Sequence, residues 1–380
     1  MTMRWAVSAL FFVNGLLVGS WAPKIPVLME RLGITEASAG VIVLGLGLGS
    51  ICVMPLFGAM VARAGSASAV RLAAWLAAPS MIWISLAPTY WTVAATVVLF
   101  GGMVGGMDVA MNANAVAVER ARGRAIMSSC HGFWSLGAFA GAAAGGWLIQ
   151  RFGELAHAAV ITAVFALVLL WALSRLLQDA PEAGAPKAPL RLPRSPLPWL
   201  IGLMALAAMI PEGAILDWAA VYLQREMGAS LSVAGLGFAA CAGTMAAMRF
   251  AGDGLRRRFG AVTTLRASSA VAMAGLVLAG LSSSPAPAIA GFALAGIGIA
   301  NMVPIAFSAA GNVPGLAAGM GLSVVTMMGY SGILLAPGSI GFLAEHLSLG
   351  TIYLGLAALL LIPLLLSRLA ATADFEPRDD

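Results

Sequence analysis

Charged residues are scarce in this chain of 380 residues: Asp, Glu, Lys and Arg together make up 10% of the sequence, whereas hydrophobic residues make up 61%. A soluble globular domain carries about 25% charged residues, because its surface must be hydrated. The shortage excludes a water-soluble globular protein. The outer surface of the folded chain must instead contact lipid.

Metal-binding and catalytic motifs are missing as well. The three cysteines, Cys52, Cys130 and Cys241, lie in apolar segments without the spacing of a metal site, so we predict that they are reduced packing residues. The sequence has no phosphate-binding loop ending in Gly-Lys-Ser/Thr, no His-Glu-x-x-His and no nucleophile elbow. The run Gly45-Leu-Gly-Leu-Gly49 lies inside an apolar helix with no strand before it, so it is no nucleotide-binding loop. We therefore predict a non-enzyme without metal or cofactor.

Apolar runs long enough to cross a bilayer, about 20 residues each, recur along the whole chain. The first run follows Arg4 but continues to Met29 without a clear cleavage site, so we expect a spanning helix there and no signal peptide. The sequence predicts an all-α polytopic membrane protein with twelve transmembrane helices. The predicted spans are 5–29, 37–62, 70–88, 91–117, 125–149, 155–176, 198–224, 231–255, 262–282, 286–309, 317–343 and 349–369.

Basic residues fall almost entirely on one side of these spans. With the N-terminus inside, the cytoplasmic segments hold sixteen of the twenty-one Lys and Arg residues, which is the bias of an inner-membrane protein. Both termini are then cytoplasmic in a bacterial-type inner (plasma) membrane. The net charge of +5 indicates contact with anionic lipid headgroups and gives no evidence of nucleic-acid binding.

The two halves of the chain correspond to one another at an offset of about 195 residues. Segment 33–40 matches 228–235, and Gly65, Gly137 and Gly146 recur as Gly260, Gly332 and Gly341. Between the halves lies a proline-rich polar stretch. We therefore predict two pseudo-symmetric six-helix bundles, residues 1–177 and 198–380, joined by a cytoplasmic linker, 178–197.

Two loop motifs resemble those of the major facilitator superfamily. They are Gly58-Ala-Met-Val-Ala-Arg63-Ala-Gly65 after the second span and Gly252-Asp-Gly-Leu-Arg-Arg-Arg-Phe-Gly260 after the eighth. The family usually has an aspartate where this chain has Ala62, so the charge lock that such an aspartate supplies is in doubt here. The resemblance implies a transporter fold and conformational loops that contain Gly58, Arg63, Gly65, Gly252, Asp253, Arg257 and Gly260.

Three further motifs resemble a subgroup of this family that contains rhizopine-transport proteins, with fucose permeases as more distant relatives. They are Trp21-Ala-Pro-Lys-Ile-Pro26, His131-Gly-Phe-Trp-Ser135 and Glu212-Gly-Ala-Ile-Leu-Asp-Trp218. A fourth motif, glycines of the fifth span from Gly137 to Gly146, is similar to that of drug/proton antiporters. It has Ala142 where that motif has proline, so the antiporter signal is partial.

Ionisable residues at bilayer depth persist mainly where they face a cavity or a partner. Asp108 and Asn112 share one helical face and could present a carboxylate and an amide to a solute, although a purely structural tie of Asp108 to His131 or an arginine is the alternative. Glu212 is the strongest candidate for proton coupling, and Asp108 and His131 are further ones. The predicted solute-binding residues are Asn14, Trp21, Asp108, Asn112, His131, Trp134, Asp217, Trp218, Asn301 and Tyr330.

For some of these residues a structural role is an equal alternative. Trp218 and Trp134 could stack on a solute ring or lie in an interfacial aromatic belt, and His131 could be a satisfied core histidine. Arg249 could bind an anionic substrate, but extension towards the basic cytoplasmic cluster 256–258 is the simpler expectation. For Lys24 we expect a similar extension outward.

These features predict a monomeric secondary transporter that moves a small polar solute, of the sugar, polyol or inositol-derivative class, by alternating access coupled to protons. Carboxylates and amides in the spans favour directional hydrogen bonding over a wide apolar drug cavity. A drug/proton antiporter that exports amphipathic compounds is the alternative, which the twenty methionines keep open. A non-transporting receptor or sensor and a membrane-embedded hydrolase are remote alternatives.

Overall fold

A computed structural model describes residues 2–122, 126–179, 194–313 and 318–373, and every regular element in these ranges is helical. Eleven helices of this part are long and apolar enough to cross a membrane, and a bent pair near residue 366 makes a twelfth span if it is counted as one. The all-α polytopic fold predicted from the sequence is confirmed. Most of the predicted linker, residues 180–193, lies outside the described residues.

The first half of the chain forms six spans, two of them broken into segments. They are α1a (Thr2–Trp21) and α1b (Lys24–Leu32), α2 (Glu36–Ala64), α3a (Ser66–Ala77) and α3b (Ser80–Leu86), α4 (Tyr90–Arg122), α5 (Met127–Phe152) and α6 (Glu154–Leu173).

The second half repeats this arrangement. Its spans are α7 (Leu197–Val221), which ends in a π-helical turn (Tyr222–Glu226), α8 (Leu231–Phe259), α9 (Ala261–Leu281), α10a (Pro285–Ile299) and α10b (Met302–Gly311), α11 (Ala318–Ala344), and α12a (Leu349–Leu359) with α12b (Leu361–Leu365), followed by a 3-10 turn (Ser367–Ala373).

Proline explains each break within a span. Pro23 and Pro79 lie in the breaks of the first and third spans, and Pro304 and Pro363 lie three residues after the breaks at Asn301 and Leu360. Proline has no backbone N–H, so the carbonyl four residues earlier loses its hydrogen bond and the helix bends there. The twelve predicted spans match the structure closely, with these breaks as the main addition.

The loops after α2 and α8 are shorter in the structure than the conformational loops that the sequence predicted. α2 continues to Ala64 and α8 to Phe259, so Gly58, Arg63 and Gly252 lie in helix and only Gly65 and Gly260 lie in turns. Basic residues stabilise the last turn of a helix, which explains why these helices continue into the basic segments. The side chains of Asp253 and Arg257 lie outside the described residues.

The internal repeat is visible in the backbone angles. Gly33 and its counterpart Gly228 have φ of 61° and 64°, and Gly65 and Gly260 have φ of 79° and 77°. Such positive φ values favour glycine, and both pairs are separated by 195 residues. The predicted offset is therefore confirmed by the turns that connect equivalent helices.

The two halves meet through repeat-related glycines. A Cβ atom added to Gly146 of α5 would lie 2.5 Å from the carbonyl oxygen of Leu231 in α8, and one added to Gly341 of α11 would lie 2.6 Å from that of Glu36 in α2. All four positions correspond at the same offset of 195. The α5–α8 and α2–α11 contacts are thus equivalent, and backbone packs on backbone in both.

One face of the bundle carries the chain ends and the residues that flank the linker, and we call it the linker side. There Arg4 donates to Ser129 at the start of α5, and Asp179 accepts hydrogen bonds from the backbone N–H groups of Ser66 (2.9 Å) and Ala67 (3.2 Å). Burial acts to raise the pKa of Asp179, but the hydrogen bonds from Ser66 and Ala67 outweigh it and hold the pKa below its usual value. The carboxylate therefore caps α3a.

Replacing Asp179 with alanine is expected to lower the free energy of unfolding by about 1 kcal/mol, because the first N–H groups of α3a lose their acceptor. Since the native pKa is lowered, this stabilisation is present at neutral pH and is lost as pH falls through the native pKa. Thermal unfolding of wild type and variant at neutral pH and over a series of acidic buffers measures both effects. A wild-type unfolding temperature for the variant at neutral pH would show that the cap contributes nothing.

Candidate solute site

A charged cluster joins the two halves midway along the spans. Arg249 of α8 lies 3.3 Å from Glu212 of α7, measured from Nη2 to Oε1, and its Nη1 donates to the Ser135 hydroxyl of α5 at 2.6 Å. The side chains of Arg249 and Glu212 are 15% and 21% exposed. Groups this deep in a bundle that remain partly exposed line a space that water can enter.

The position of Arg249 differs from the sequence-based expectation. The guanidinium does not extend towards the basic segment 256–258 but turns to Glu212, so the prediction of extension to that surface is wrong. The reason is energetic, because a charge at bilayer depth is costly and a nearby carboxylate offsets much of that cost.

The Asp108 carboxylate faces the same region from α4. The Asn112 amide donates to the Asp108 carbonyl (2.9 Å) and to its Oδ1 (3.2 Å), so the two residues share a helical face. The structure shows this bond to Asn112 for Asp108, rather than the alternative of a tie to His131 or an arginine. Tyr330 of α11 lies within electrostatic range of both Asp108 and Glu212.

His131 lies beside this cluster. Its ring packs edge-on against Phe11, with centroids 5.2 Å apart, and lies within electrostatic range of Arg249. The structure thus brings together six polar side chains from both halves of the chain. They are Asp108, Asn112, His131, Glu212, Arg249 and Tyr330, and we call them the central cluster.

Two predicted solute residues have a structural role in the first half. Asn14 is 1% exposed, donates to the Val104 carbonyl (3.2 Å) and accepts from the Trp134 indole N–H (2.9 Å). Both polar atoms of its amide, and the N–H of Trp134, are therefore occupied by protein. The pair connects α1a, α4 and α5, so both side chains have a structural role, and binding of solute by either of them stays a prediction.

Asn301 packs within the second half, against a glycine that lies one helical turn after Arg249. It is 7% exposed in the break between α10a and α10b and packs directly against the backbone of Gly252 in α8. A larger residue than glycine at position 252 would collide with its Oδ1. This contact joins α8 to α10 inside the second half, and a role of Asn301 in solute binding stays a prediction.

The remaining predicted residues, Trp21, Asp217 and Trp218, close the side opposite the linker. Asp217 of α7 is 6% exposed and next to Trp21 of α1a, which is 1% exposed. Trp218 is fully buried and contacts Gly341 of α11. Its burial excludes the aromatic-belt alternative, because belt residues face the membrane interface.

Polar contacts between the halves complete this closure. Arg225 forms an ion pair with Glu36 at 2.5 Å, and Gln150 accepts from both the backbone N–H (2.8 Å) and the hydroxyl (2.5 Å) of Ser232. All these residues lie at helix ends opposite the linker. The two halves are thus held together at that end.

Among the side chains that the structure describes, the contact between α2 and α11 weakens towards the linker side. On the helical face of α2 that carries Gly40, the side chains of Leu48 and Ile51 are 46% and 41% exposed, and on the corresponding face of α11 Met327 is 53% exposed. The two helices therefore diverge below the closure. The central cluster lies between the closed end and this divergence.

Sequence reasoning missed a second buried charge network, inside the first half. Lys24 is completely buried, its Nζ 2.8 Å from Glu154 of α6 and 2.6 Å from the Ser85 hydroxyl of α3b. Arg31 lies 3.3 Å from the same carboxylate. The expectation that Lys24 extends outward is wrong, because Glu154 lies close enough to neutralise it inside the bundle. The signal available in the sequence was an acidic residue at the start of the sixth span.

No group of three or more His, Cys, Asp or Glu residues in the described part of the chain has the arrangement of a metal site. The cysteines are free, with Cys52 exposed and Cys130 and Cys241 buried. Chemically, the central cluster can offer a solute carboxylate and amide oxygens and a phenol.

Known proteins resemble the chain over nearly its whole length. An uncharacterized MFS-type transporter of Yersinia pestis is 36% identical over 365 residues, which cover 95% of this chain and 94% of that protein. The membrane protein MosC of Rhizobium meliloti is 33% identical over 351 residues, 91% of this chain and 84% of that one.

Solved structures have the same fold. The nucleoside transporter NupG, in a mutant form, superposes with a TM-score of 0.77 at 14% identity and covers 97% of this chain and 99% of its own. The fucose:proton symporter FucP of E. coli gives a TM-score of 0.67 at 17% identity over 97% and 98%. The family model of the Major Facilitator Superfamily matches residues 7–337. The chain belongs to the major facilitator superfamily and is a secondary transporter, not an enzyme.

Proposed function

We propose that this transporter moves a small polar solute across the inner membrane by alternating access, coupled to protons. The observation that carries the proposal is the Glu212–Arg249–Ser135 contact. In it, a carboxylate that can be protonated lies next to a cation that touches both halves of the molecule. Protonation and relative movement of the halves can therefore influence one another.

The coupling follows from electrostatics. Protonation of Glu212 removes its charge and weakens its attraction to Arg249, which then needs another acceptor because an unpaired charge at this depth is unfavourable. Arg249 already donates to Ser135 in the other half, so the strength of the contact between the halves changes with the protonation state. A proton thus shifts the balance between the two conformations.

We assign recognition of the solute to the part of the central cluster that contains Asp108, Asn112 and Tyr330. Asp108 and Asn112 offer a carboxylate and an amide oxygen as acceptors on one helical face, and Tyr330 adds a hydroxyl from the opposite half. Such directional groups suit a solute with several hydroxyls, of the sugar, polyol or inositol-derivative class. FucP is named as a fucose:proton symporter and NupG as a nucleoside transporter, and both solutes carry hydroxyl groups.

Sidedness follows from the basic residues. We assign the linker side to the cytoplasm, with both termini there, because the linker side carries most of the Lys and Arg residues. The closed end with Glu36 and Arg225 then faces the periplasm. On this assignment, the divergence of α2 and α11 opens the central cluster to the cytoplasm. We further propose that a single chain is the transporting unit and that its basic face contacts anionic lipids.

Replacing Asp108 with asparagine is expected to reduce solute uptake about tenfold or more, since one charge-assisted hydrogen bond contributes about 1.5–3 kcal/mol. The measurement is uptake of radiolabelled sugars, polyols and inositol derivatives into proteoliposomes. Glu345→Gln, which neutralises an exposed carboxylate at the end of the spans opposite the linker, is the matched control and should transport normally.

The same assay separates the alternatives. A receptor, a sensor or a hydrolase would move no solute in proteoliposomes at all. A drug antiporter would leave hydrophilic solutes outside but exchange amphipathic compounds for protons. Normal hydrophilic uptake by Asp108→Asn would remove Asp108 from solute binding.

A further inference from the structure

A groove opens on the outer surface of the second half, where α7, α11 and α12a meet. Its volume is about 600 Å³ and its lining is almost entirely hydrocarbon. That volume is in the range of small-molecule binding sites, about 300–1,000 Å³. The main lining residues are Leu206, Ile210, Leu335, Leu343, Ile352 and Leu356.

The repeat shows how the groove arises. In the first half, α5 packs closely on α6, because a Cβ added to Gly145 would lie 3.2 Å from Nε2 of the fully buried His157. The equivalent positions in the second half are Ile340 and Ile352, and both line the groove. An isoleucine in place of a glycine keeps the neighbouring helix at a distance. α12a therefore stands away from α11 at the place where α6 touches α5.

Of the three hydroxyl groups that line the groove, those of Ser331, Ser339 and Thr351, two are already used within the protein. The Ser331 hydroxyl donates to the Met328 carbonyl at 2.7 Å, and the Thr351 hydroxyl shares a hydrogen bond with Ser348 at 2.9 Å. A sugar or polyol in the groove would exchange its several hydrogen bonds to water for at most those of the Ser339 hydroxyl, which is unfavourable. The chemistry of the lining therefore selects a hydrocarbon ligand.

The groove is separate from the central cluster. Pro337 and Gly341 of α11 face α2, and Tyr330 faces Asp108 and Glu212, whereas Leu335 and Leu343 point outward and are 60% and 42% exposed. In a chain that spans the membrane, outward-facing leucines at this depth contact the bilayer. The groove is thus continuous with the lipid phase and closed to the solute path.

We propose that the groove binds an acyl chain of a membrane phospholipid. Apolar space of this size inside a bilayer loses dispersion contacts if it is empty, and a neighbouring acyl chain restores them. The groove reaches Leu347 and Thr351 near the end of the spans opposite the linker, so the lipid belongs to the leaflet on that side. The bound chain fills the gap between α11 and α12a.

Gly355 offers a direct test, because a side chain added there meets no atom within 4 Å and points into the groove lining. Phenylalanine at this position would occupy the space of the acyl chain. Val160 is the repeat-related position on α6, 43% exposed, and Val160→Phe adds the same ring to the outer surface of the other half. The two variants form a matched pair.

Native mass spectrometry of the full-length protein in mild detergent, with phosphatidylethanolamine and phosphatidylglycerol added, counts bound phospholipids. Wild type and Val160→Phe should each retain one more tightly bound phospholipid than Gly355→Phe. Occupancy in Gly355→Phe should be about tenfold lower, which corresponds to the loss of about two buried methylene groups. If Gly355→Phe does not fold, Ser339→Leu fills the groove from α11 and should give the same loss.

Equal phospholipid counts in the folded filling variants and in Val160→Phe would overturn the proposal. So would loss of a bound amphipathic drug with an unchanged phospholipid count, because the groove would then be a drug site. Solute uptake by Gly355→Phe should continue, which makes this result independent of the function proposed for the central cluster.

Discussion

Replacing Glu212 with glutamine is expected to abolish the pH dependence of solute uptake while leaving the protein folded. Glutamine keeps the shape of the side chain and an oxygen that can accept from Arg249, but it cannot bind or release a proton. Stimulation of uptake by an inward proton gradient should therefore be lost. Uptake driven by the gradient should fall about tenfold or more, since the charge-assisted bond to Arg249 contributes about 1.5–3 kcal/mol.

The measurement is uptake into proteoliposomes with and without an imposed pH gradient, together with solute counterflow. Counterflow exchanges labelled for unlabelled solute and needs no net proton movement, so Glu212→Gln should retain it. Glu345→Gln again serves as the control for loss of a carboxylate outside the central cluster. Unchanged proton dependence in Glu212→Gln would exclude Glu212 from coupling and direct attention to Asp108.

Replacing Glu154 with alanine is expected to destabilise the protein by about 3–5 kcal/mol, because it leaves the buried Lys24 ammonium without its counter-charge. Lys24 is completely buried with Nζ 2.8 Å from Glu154, and Arg31 would lose the same partner. The measurement is the unfolding temperature of the purified protein in detergent. Glu36→Ala, which removes an ion pair whose arginine is 38% exposed, should cost only about 0–1 kcal/mol.

A double substitution distinguishes the stability lost through the unpaired charge from the stability lost through poorer packing. Lys24→Met combined with Glu154→Leu removes both charges and keeps apolar volume, so it should recover much of the stability lost in Glu154→Ala. A Glu154→Ala protein as stable as wild type would mean that Lys24 finds water or another acceptor. Persistent instability of the double variant would assign the effect to packing or to Arg31, which keeps its charge but loses Glu154.

The spans could be predicted from the sequence because each one is an apolar run of the length that a bilayer requires. Breaks were harder to predict, since Pro55, Pro211 and Pro337 lie inside continuous helices whereas Pro304 and Pro363 follow breaks. A proline bends a helix only as far as the neighbouring packing allows.

Within the site, the pairing of Asp108 with Asn112 follows from helical spacing alone. The pairing of Glu212 with Arg249 could not be predicted, because it depends on how α7 and α8 are rotated about their own axes. The pairing of Lys24 with Glu154 could not be predicted for the same reason, and these two residues lie even farther apart in the sequence. Asn14 appeared to be a solute ligand for the opposite reason, since the sequence does not show that a carbonyl and an indole already satisfy its amide.

The glycine contacts between α2 and α11 and between α5 and α8 affect how the transporter moves. Helices with interdigitated side chains must lose that packing before they separate. Helices that meet at glycines have no side chains to disengage. We expect helices in contact through glycines to rotate and slide against each other with little change in free energy. Because the repeat places one such contact on each flank, we expect the proposed rocking of the two halves to occur about both glycine contacts, with the polar contacts at the helix ends holding the closed state.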